Sequence, residues 1–466
     1  MYRKLLVVGM ALLLCGCPRP QKYSRPVPPV PGAWPESAAS GQAETAGAPV
    51  APDVNWREFF ADNRLQSVID LALANNRDLR VASLNVERVQ GLYRIQRAER
   101  NPTVAASAEA NFYRIPKSLS SNDQAKTVSQ YTISLGVASW ELDLFGRVRS
   151  LTTAALEQYF ATEQARSAAQ IALVAAVANT YLALAADQDN LRLAQSTLDA
   201  QNVSYQLILK TRDLGVASDL DLRQAESQVD AARVDIARYS GLVALDQNAL
   251  NLLVGAPVPA DLLAVELASV TAPKDVSAGL PSDVLLRRPD ILAAEHQLKG
   301  AYANIGAARA LFFPRISLTG AGGITSGGLS ELFKAGAATW TFVPQATLPI
   351  FDSGARKANY RVAEVDRDVA VADYERAIQT AFRDVSDALA LRSRLVEQQN
   401  AQEALVNSLR ETYRLSTARY NAGVDSYLSV LVAQRALYAA EQGLVSVRLA
   451  RLSNLVNLYE VLGGGA

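Results

Sequence analysis

Two long stretches without a single glycine or proline dominate the chain, 147–214 and 355–422. At 1.5 Å per residue each predicts a helix of about 100 Å, far beyond the usual 8–20 residues and therefore a coiled-coil-like rod. Within the second, Tyr374, Ile378, Ala381, Val385 and Ala388 follow one another at spacings of four and three. That is the seam of a helix packed on a neighbour. Many seam positions are alanine, so the helices can approach closely. Shorter periodic stretches near 63–100, 219–254, 283–312 and 427–462 predict further helices.

Between the first helix and each rod the period falls to two. Val104, Ala106, Ala108, Ala110 and Phe112 alternate with Ala105, Ser107, Glu109, Asn111 and Tyr113. Tyr131, Ile133, Leu135 and Val137 alternate with Thr132, Ser134, Gly136 and Ala138. The same alternation runs through Ile316–Ile324 and through Trp340, Phe342, Pro344, Ala346 and Leu348. One apolar face at period two is a strand pattern. It predicts strands near 103–115, 127–142, 315–325 and 338–350.

These elements are written twice. Asp78 and Asp290 lie 212 positions apart, as do Pro102 and Pro314. Gly146 and Gly354 lie 208 apart, as do Gly215 and Gly423, and Gly255 and Gly463. Tyr131 and Trp340 fall at 209, so the second hairpin loop is three residues shorter and the following turn one residue shorter. Each unit reads helix, β-hairpin, long helix, helix. The first repeat is assigned to 56–255, a linker to 256–282, the second repeat to 283–463 and a tail to 464–466. Four strands cannot close a barrel in lipid, where open edges leave backbone groups unpaired. Three chains supply twelve, an even number in the range of bacterial barrels.

The N-terminus reads as an address. Arg3 and Lys4 precede an apolar run from Leu5 to Leu14, too short for a span and suited to a signal peptide over 1–16. Leu14-Cys15-Gly16-Cys17 resembles a lipoprotein processing site, with Cys17 receiving lipid, including palmitate. The segment 17–55 is rich in Pro, Ala, Gly and Ser and reads as an extended, surface-bound stretch, with packed structure starting near Trp56.

Composition narrows the chemistry. The chain of 466 residues carries 46 Lys+Arg against 46 Asp+Glu, which disfavours nucleic acid as a partner. Both Cys and both Met lie in the first 17 residues, and His296 is the single histidine. Thiolate metal sites, disulfides and cysteine nucleophiles are thereby excluded from the rest of the chain. No carboxylate pair, nucleophile–base set or phosphate loop stands out, so no enzyme activity and no cofactor are expected. His296, in an apolar-periodic helix, reads as a structural or surface histidine, and Arg287 and Arg288 read less as an anion site than as residues flanking a helix start with intersubunit or water contacts.

Several motifs together resemble the TolC-like outer membrane factors. They are Tyr23, Pro26 and Pro29 before Trp56; Trp140-Glu141-Leu142-Asp143-Leu144-Phe145-Gly146-Arg147; Leu280-Pro281-Ser282-Asp283 with Arg287-Arg288-Pro289-Asp290; and Pro349-Ile350-Phe351-Asp352-Ser353-Gly354. The branch they resemble is that of multidrug-efflux outer membrane lipoproteins typified by OprM and NodT. The resemblance implies a homotrimer, mainly α, with a twelve-stranded β-barrel in the outer membrane, four strands per chain, on a long periplasmic α-helical tunnel. It implies an exit duct that is lipid-anchored, does no chemistry, and works with a periplasmic adaptor and an inner-membrane pump of the resistance-nodulation-division class. A coiled-coil lipoprotein that tethers envelope layers without a pore is the competing reading, and it leaves the alternating strands unexplained.

The resemblance also implies roles for residues. The turns at Gly215-Val216 and Gly423-Val424 correspond to helical tips that meet the adaptor. Asp221 and Tyr420 fall where a carboxylate–tyrosine contact latches a closed periplasmic gate, and Leu428 where an apolar side chain constricts it. Relatives often carry pore-facing aspartates where this chain has Ser429 and Val432, which leaves Asp425 as the nearest carboxylate. Weaker cation selectivity and weaker block by multivalent cations are therefore expected than in aspartate-ringed relatives. Single-channel recordings test this: strong cation selectivity abolished by Asp425→Ala would relocate the acidic ring and overturn it.

Overall fold

The computed structural model describes residues 23–34, 49–121, 123–278 and 284–465. The signal peptide, Cys17 and the 280–283 motif lie outside the described residues. The chain divides into two compact units, one holding residues up to 27 with 86–162 and 293–374, the other holding 28–85, 163–292 and 375 onward.

The first unit contains one four-stranded antiparallel sheet in chain order, β1 (Val104–Ile115), β2 (Lys126–Glu141), β3 (Arg315–Ser326) and β4 (Ala338–Thr347). β4 stops three residues short of the expected 350, before Pro349, whose ring cannot donate to a ladder. Val104 pairs with Val137 and Ile316 with Ala346, so the two hairpins have the same register at the offsets of the repeat. A bulge between Val137 and Trp140 shifts the β2–β3 ladder, and Ser139 there adopts a φ of 52°. One sheet face is polar: Ser107 meets Ser134 at 2.9 Å and Thr132 meets Thr325 at 3.0 Å. The other carries Phe112, Trp340 and Phe342, all more than half exposed. Gly323 has a specific reason in this sheet: a Cβ there would lie 2.1 Å from the Ile133 carbonyl oxygen.

The turn motifs singled out in the sequence carry the chain from strand to rod. Glu141 at the end of β2 accepts two bonds of 2.8 Å from Arg147 and faces Arg315 at 2.7 Å. Asp143 accepts from the Arg149 N–H at 2.8 Å, and Asp352 accepts from the Arg356 N–H at 3.2 Å and its Nε at 2.6 Å. These carboxylates satisfy N–H groups that have no intrahelical partner. Gly146 and Gly354 supply the positive φ of both turns.

Helices make up the rest. They are α1 (Trp56–Phe59), α2 (Asn63–Asn75), α3 (Arg77–Ala98), α4 (Arg147–Asp213), α5 (Asp219–Val254), α6 (Pro289–Ala310), α7 (Ala355–Asn421) and α8 (Tyr427–Val461). The expected helix over 63–100 is broken at Asn76, whose side chain accepts from the Leu79 N–H and donates to the Leu253 carbonyl at 2.7 Å. An asparagine that caps a new helix while tying down another ends the old one. In the second repeat Pro289 opens α6 at the corresponding place, so α3 and α6 share their length of 22 residues. α4 and α7 are each 67 residues long. The seam residues Tyr374, Ile378, Ala381, Val385 and Ala388 are all buried.

Packed contacts begin well before Trp56. Tyr23 Oη donates to Glu295 at 2.9 Å, Arg25 Nη2 donates to it at 2.7 Å, and Lys299 stands 3.1 Å away. Burial alone would raise the Glu295 carboxyl, but these donors hold it below its ordinary value. In the second unit Trp34 stacks on Phe382 at 5.1 Å. Composition predicted an extended segment over the surface, and along 23–34 a few aromatic and charged residues fasten it. His296 binds Glu157 at 2.6 Å, a structural role. Arg287 pairs with Asp53, and Arg288 with Asp290 and the Val461 carbonyl. Both guanidinium groups are thus engaged within the chain beside the start of α6.

In the second unit Asp246 of α5 lies within electrostatic reach of Asp187 of α4. Burial and the Asp187 charge push Asp246 up to about 6. The folded state therefore holds a proton that the unfolded chain releases near pH 4. The stabilisation from that proton is complete below about pH 4 and is lost as pH rises through about 6. Asp246→Asn should raise thermal stability at pH 8 and flatten its pH dependence between about 4 and 6. Thermal unfolding of the detergent-solubilised protein at each pH checks this, and a loss of stability at pH 8 would contradict it.

Candidate gate and helical tips

The end of α4 and the end of α7 are built alike. Gly215 has φ 74°, its N–H bonds the Arg212 carbonyl at 2.8 Å, and the Val216 N–H bonds the Thr211 carbonyl at 2.9 Å. Gly423 has φ 71°, its N–H bonds the Tyr420 carbonyl at 2.9 Å, and the Val424 N–H bonds the Arg419 carbonyl at 3.0 Å. This paired bonding is the Schellman arrangement, which satisfies orphan carbonyls and needs a residue free to take positive φ. It reverses the chain within a few residues and leaves Leu214, Val216 and Val424 prominently exposed. An arginine ties each turn: Arg212 reaches Asp219 at 3.0 Å, and Arg419 grips Asp425 through bonds of 2.5 and 3.1 Å. The Arg419 guanidinium holds the Asp425 carboxyl below its ordinary value.

The two hairpins meet in one apolar cluster. Ile208 and Ala225 from the first pack with Tyr427, Val430 and Leu431 from the second, flanked by Tyr205, Leu222, Tyr413 and Tyr420. The Tyr420 and Tyr427 rings lie 5.5 Å apart. Burial raises the Tyr420 phenol, and the nearby Asp221 charge adds to the effect. The phenol is neutral at physiological pH and sits within the electrostatic reach of Asp221.

No hydrogen bond joins Asp221 to Tyr420. The Asp221 carboxylate instead accepts from the Ser218 N–H at 3.0 Å and the Ser218 hydroxyl at 2.7 Å, while Ser218 Oγ accepts from the Asp221 N–H. This reciprocal capping box starts α5. α8 starts after Ser426 without a side-chain cap. Leu428 and Val432 are more than half exposed. With Ser429, Leu409, Thr412 and Ser416 they line an open groove of about 440 Å³. The residues expected at the gate thus fall in one region, with Asp221 and Tyr420 flanking the cluster and Leu428 and Val432 on an uncovered face.

A phenol–carboxylate bond of the expected kind occurs further along the same helices. Tyr438 Oη donates to Asp235 Oδ2 at 2.9 Å between α8 and α5. Burial and the Asp235 bond raise the Tyr438 phenol. Arg435 donates to Gln228 at 2.8 Å and Gln442 to the Tyr239 hydroxyl at 3.0 Å, so a polar stripe joins the two helices. Gln228, Asp235 and Tyr239 recur at helical spacing and face Arg435, Tyr438 and Gln442. That periodicity was readable in the sequence, but polar periodicity on a helix usually signals a solvated face.

Among the described residues, no cluster of three or more His, Cys, Asp or Glu could hold a metal ion.

Comparison with known proteins places these features in context. The model of the family described as outer membrane efflux protein matches residues 68–256 and 280–464. The toluene efflux pump outer membrane protein TtgC of Pseudomonas putida is 47% identical over 466 residues, spanning 100% of this chain and 96% of the relative. The outer membrane protein OprJ of Pseudomonas aeruginosa is 43% identical over 459 residues, spanning 98% of this chain and 94% of the relative. Among solved structures, the open state of the Neisseria gonorrhoeae MtrE outer membrane channel superposes with a TM-score of 0.87 at 39% identity, covering 96% of this chain and 98% of that one. A Pseudomonas aeruginosa membrane protein gives a TM-score of 0.90 at 42% identity, with coverage of 96% and 98%.

The local bonding at the tip yields a test. Asp221→Ala removes the capping box and should cost about 1 kcal/mol. Amides in the first turn of α5 should then exchange hydrogen roughly fivefold faster. Tyr420→Phe should leave those amides unchanged, because its hydroxyl makes no bond to the cap. Hydrogen exchange with mass spectrometry reads both, and equal acceleration by the two variants would contradict the assignment.

Proposed function

Because this chain belongs to the outer membrane efflux protein family, we propose that three copies form a continuous exit duct, each contributing its four-stranded sheet to a twelve-stranded barrel. The observation that carries this reading is the sheet itself: one face polar, one face apolar and aromatic, and both edges free. Lipid tolerates strands only when every backbone group is paired, so such a sheet must be completed by other copies. The polar face lines water and the apolar face meets lipid.

The duct passes small molecules outward without chemistry. Two relatives are named as toluene and antibiotic efflux pump components, and apolar drugs or solvents are the cargo class proposed here. In this reading α4, α5, α7 and α8 of three copies enclose a periplasmic tunnel. The exposed turns at Gly215-Val216 and Gly423-Val424 meet a periplasmic adaptor, which connects the duct to an inner-membrane pump of the resistance-nodulation-division class. Exposed apolar residues on tips closed by paired backbone bonds suit a protein contact.

The gate is assigned to the region of Asp221, Tyr420, Leu428 and Asp425. Support comes from the exposure of Leu428 and Val432 beside a packed aromatic cluster. Shifting α8 against that cluster would change the width between three copies of Leu428. Cys17 carries the lipid that anchors the N-terminus to the outer membrane.

Extraction in mild detergent should give trimers that dissociate on heating, and planar bilayers containing them should conduct ions. The absence of both trimers and conductance would overturn the duct and favour a tethering lipoprotein. Leu428→Ala should increase the open time of single channels severalfold, and an unchanged open time would remove Leu428 from the gate.

A further inference from the structure

The internal repeat allows the seam between copies to be read at the level of single residues. Two observations fix the mapping. A residue of β1 corresponds to the β3 residue 212 positions later, and a residue of β2 to the β4 residue 209 positions later. The hairpin registers obey this rule, since Ala108↔Ile133 corresponds to Gly320↔Phe342, and both are observed pairs.

The β2–β3 ladder has no second instance within one chain, because β4 and β1 are the free edges of the sheet. Its counterpart can form only between β4 of one copy and β1 of the next. Applying the same offsets, Ser134↔Gly323 becomes Val343 opposite Asn111, and Gly136↔Ala321 becomes Gln345 opposite Glu109. Likewise Thr132↔Thr325 becomes Thr341 opposite Tyr113, and Ile133↔Ile324 becomes Phe342 opposite Phe112. We propose that β4 of one copy pairs antiparallel with β1 of the next in this register, with Val343 facing the neighbouring copy's Asn111.

The exposed side chains agree with the assignment. Phe112, Trp340, Phe342 and Val343 are all more than half exposed along these two edges. In the assigned register Phe342 meets Phe112 on the apolar face, and Gln345 meets Glu109 on the polar face. A shift by one residue would turn every side chain of one strand to the wrong face.

The backbone agrees as well. The Thr325 N–H bonds the Ala337 carbonyl at 2.8 Å, so odd-numbered residues of β4 turn their polar groups towards β3 and even-numbered residues towards the free edge. Pro344 is even-numbered, so its ring faces the seam in place of an N–H, and the ladder lacks one bond there, opposite Ala110 of the next copy. Val343 and Asn111 then form a non-hydrogen-bonded pair, with Cα atoms about 4.5 Å apart and side chains close. That spacing brings a disulfide within reach.

This inference rests on the trimeric duct proposed above, and cysteine cross-linking separates the two. Cys15 and Cys17 are the only native cysteines, and both precede the described residues. Asn111→Cys with Val343→Cys, oxidised in membranes, should give covalent trimers that reductant returns to monomers. Each single variant should stay monomeric on denaturing gels while forming heat-sensitive trimers on mild ones, which shows that it folds. The slipped pairs, Glu109→Cys with Val343→Cys and Tyr113→Cys with Val343→Cys, should cross-link at least tenfold more slowly, because diagonal neighbours lie about 7–8 Å apart. Tyr113→Cys with Thr341→Cys probes the same register independently. Faster cross-linking of either slipped pair would overturn the register and leave the duct intact. Heat-sensitive trimers with no cross-link from any pair would overturn the β4–β1 seam. Loss of trimers in the unsubstituted protein would overturn the duct itself.

Discussion

A strand in a hydrocarbon environment has no water to satisfy its N–H and C=O groups, and each group left unpaired costs several kcal/mol. A sheet of four strands leaves two edges of such groups, here the outer sides of β1 and β4. The same groups would be a hazard in water, where long free edges template aggregation. The demand for pairing therefore makes the sheet the part of this chain that cannot stand alone. Much else follows from it: the exposed aromatic residues along the edges and the need for identical copies.

Duplication supplies a second constraint. Two repeats with the same helix–hairpin–helix–helix order give two hairpins of the same register and two rods of the same length. The tips end in the same paired bonding around Gly215 and Gly423. The repeats then diverge where their surroundings differ. The first tip leads into a capping box at Ser218, and the second into α8 without a side-chain cap. A helix start lacking a side-chain cap is the less firmly held of the two.

Charge in this protein is used to fasten rather than to react. Glu295 is buried and surrounded by Arg25, Lys299 and Tyr23, Glu141 is shared between Arg147 and Arg315, and Asp425 is gripped by Arg419. Buried or partly buried carboxylates need such partners, because an unpaired charge away from water is costly. At the Asp187–Asp246 pair, burial and the neighbouring like charge instead raise the Asp246 carboxyl.

The sequence by itself determined the element order, the duplication, the two-sided character of the strands and the turns at the glycines. Each of these is local: period two or period 3.6, the absence of Gly and Pro over a rod, and the φ that only glycine adopts easily. The seam from Tyr374 to Ala388 was legible for the same reason. What the tertiary structure decided was the choice of partner. Asp221 had two available uses, and it caps α5 while Asp235 takes the tyrosine bond, because the Ser218 donors lie three residues away and Tyr438 is set opposite Asp235 by the packing of α5 on α8. Asn76 breaks a helix that periodicity would have continued, because the Leu253 carbonyl stands within its reach. Tyr23 and Arg25 read as part of an extended surface segment, and only the fold places Glu295 beside them. A polar side chain commits to whichever complementary group the fold brings within about 3 Å, and distance through space is not written along the chain.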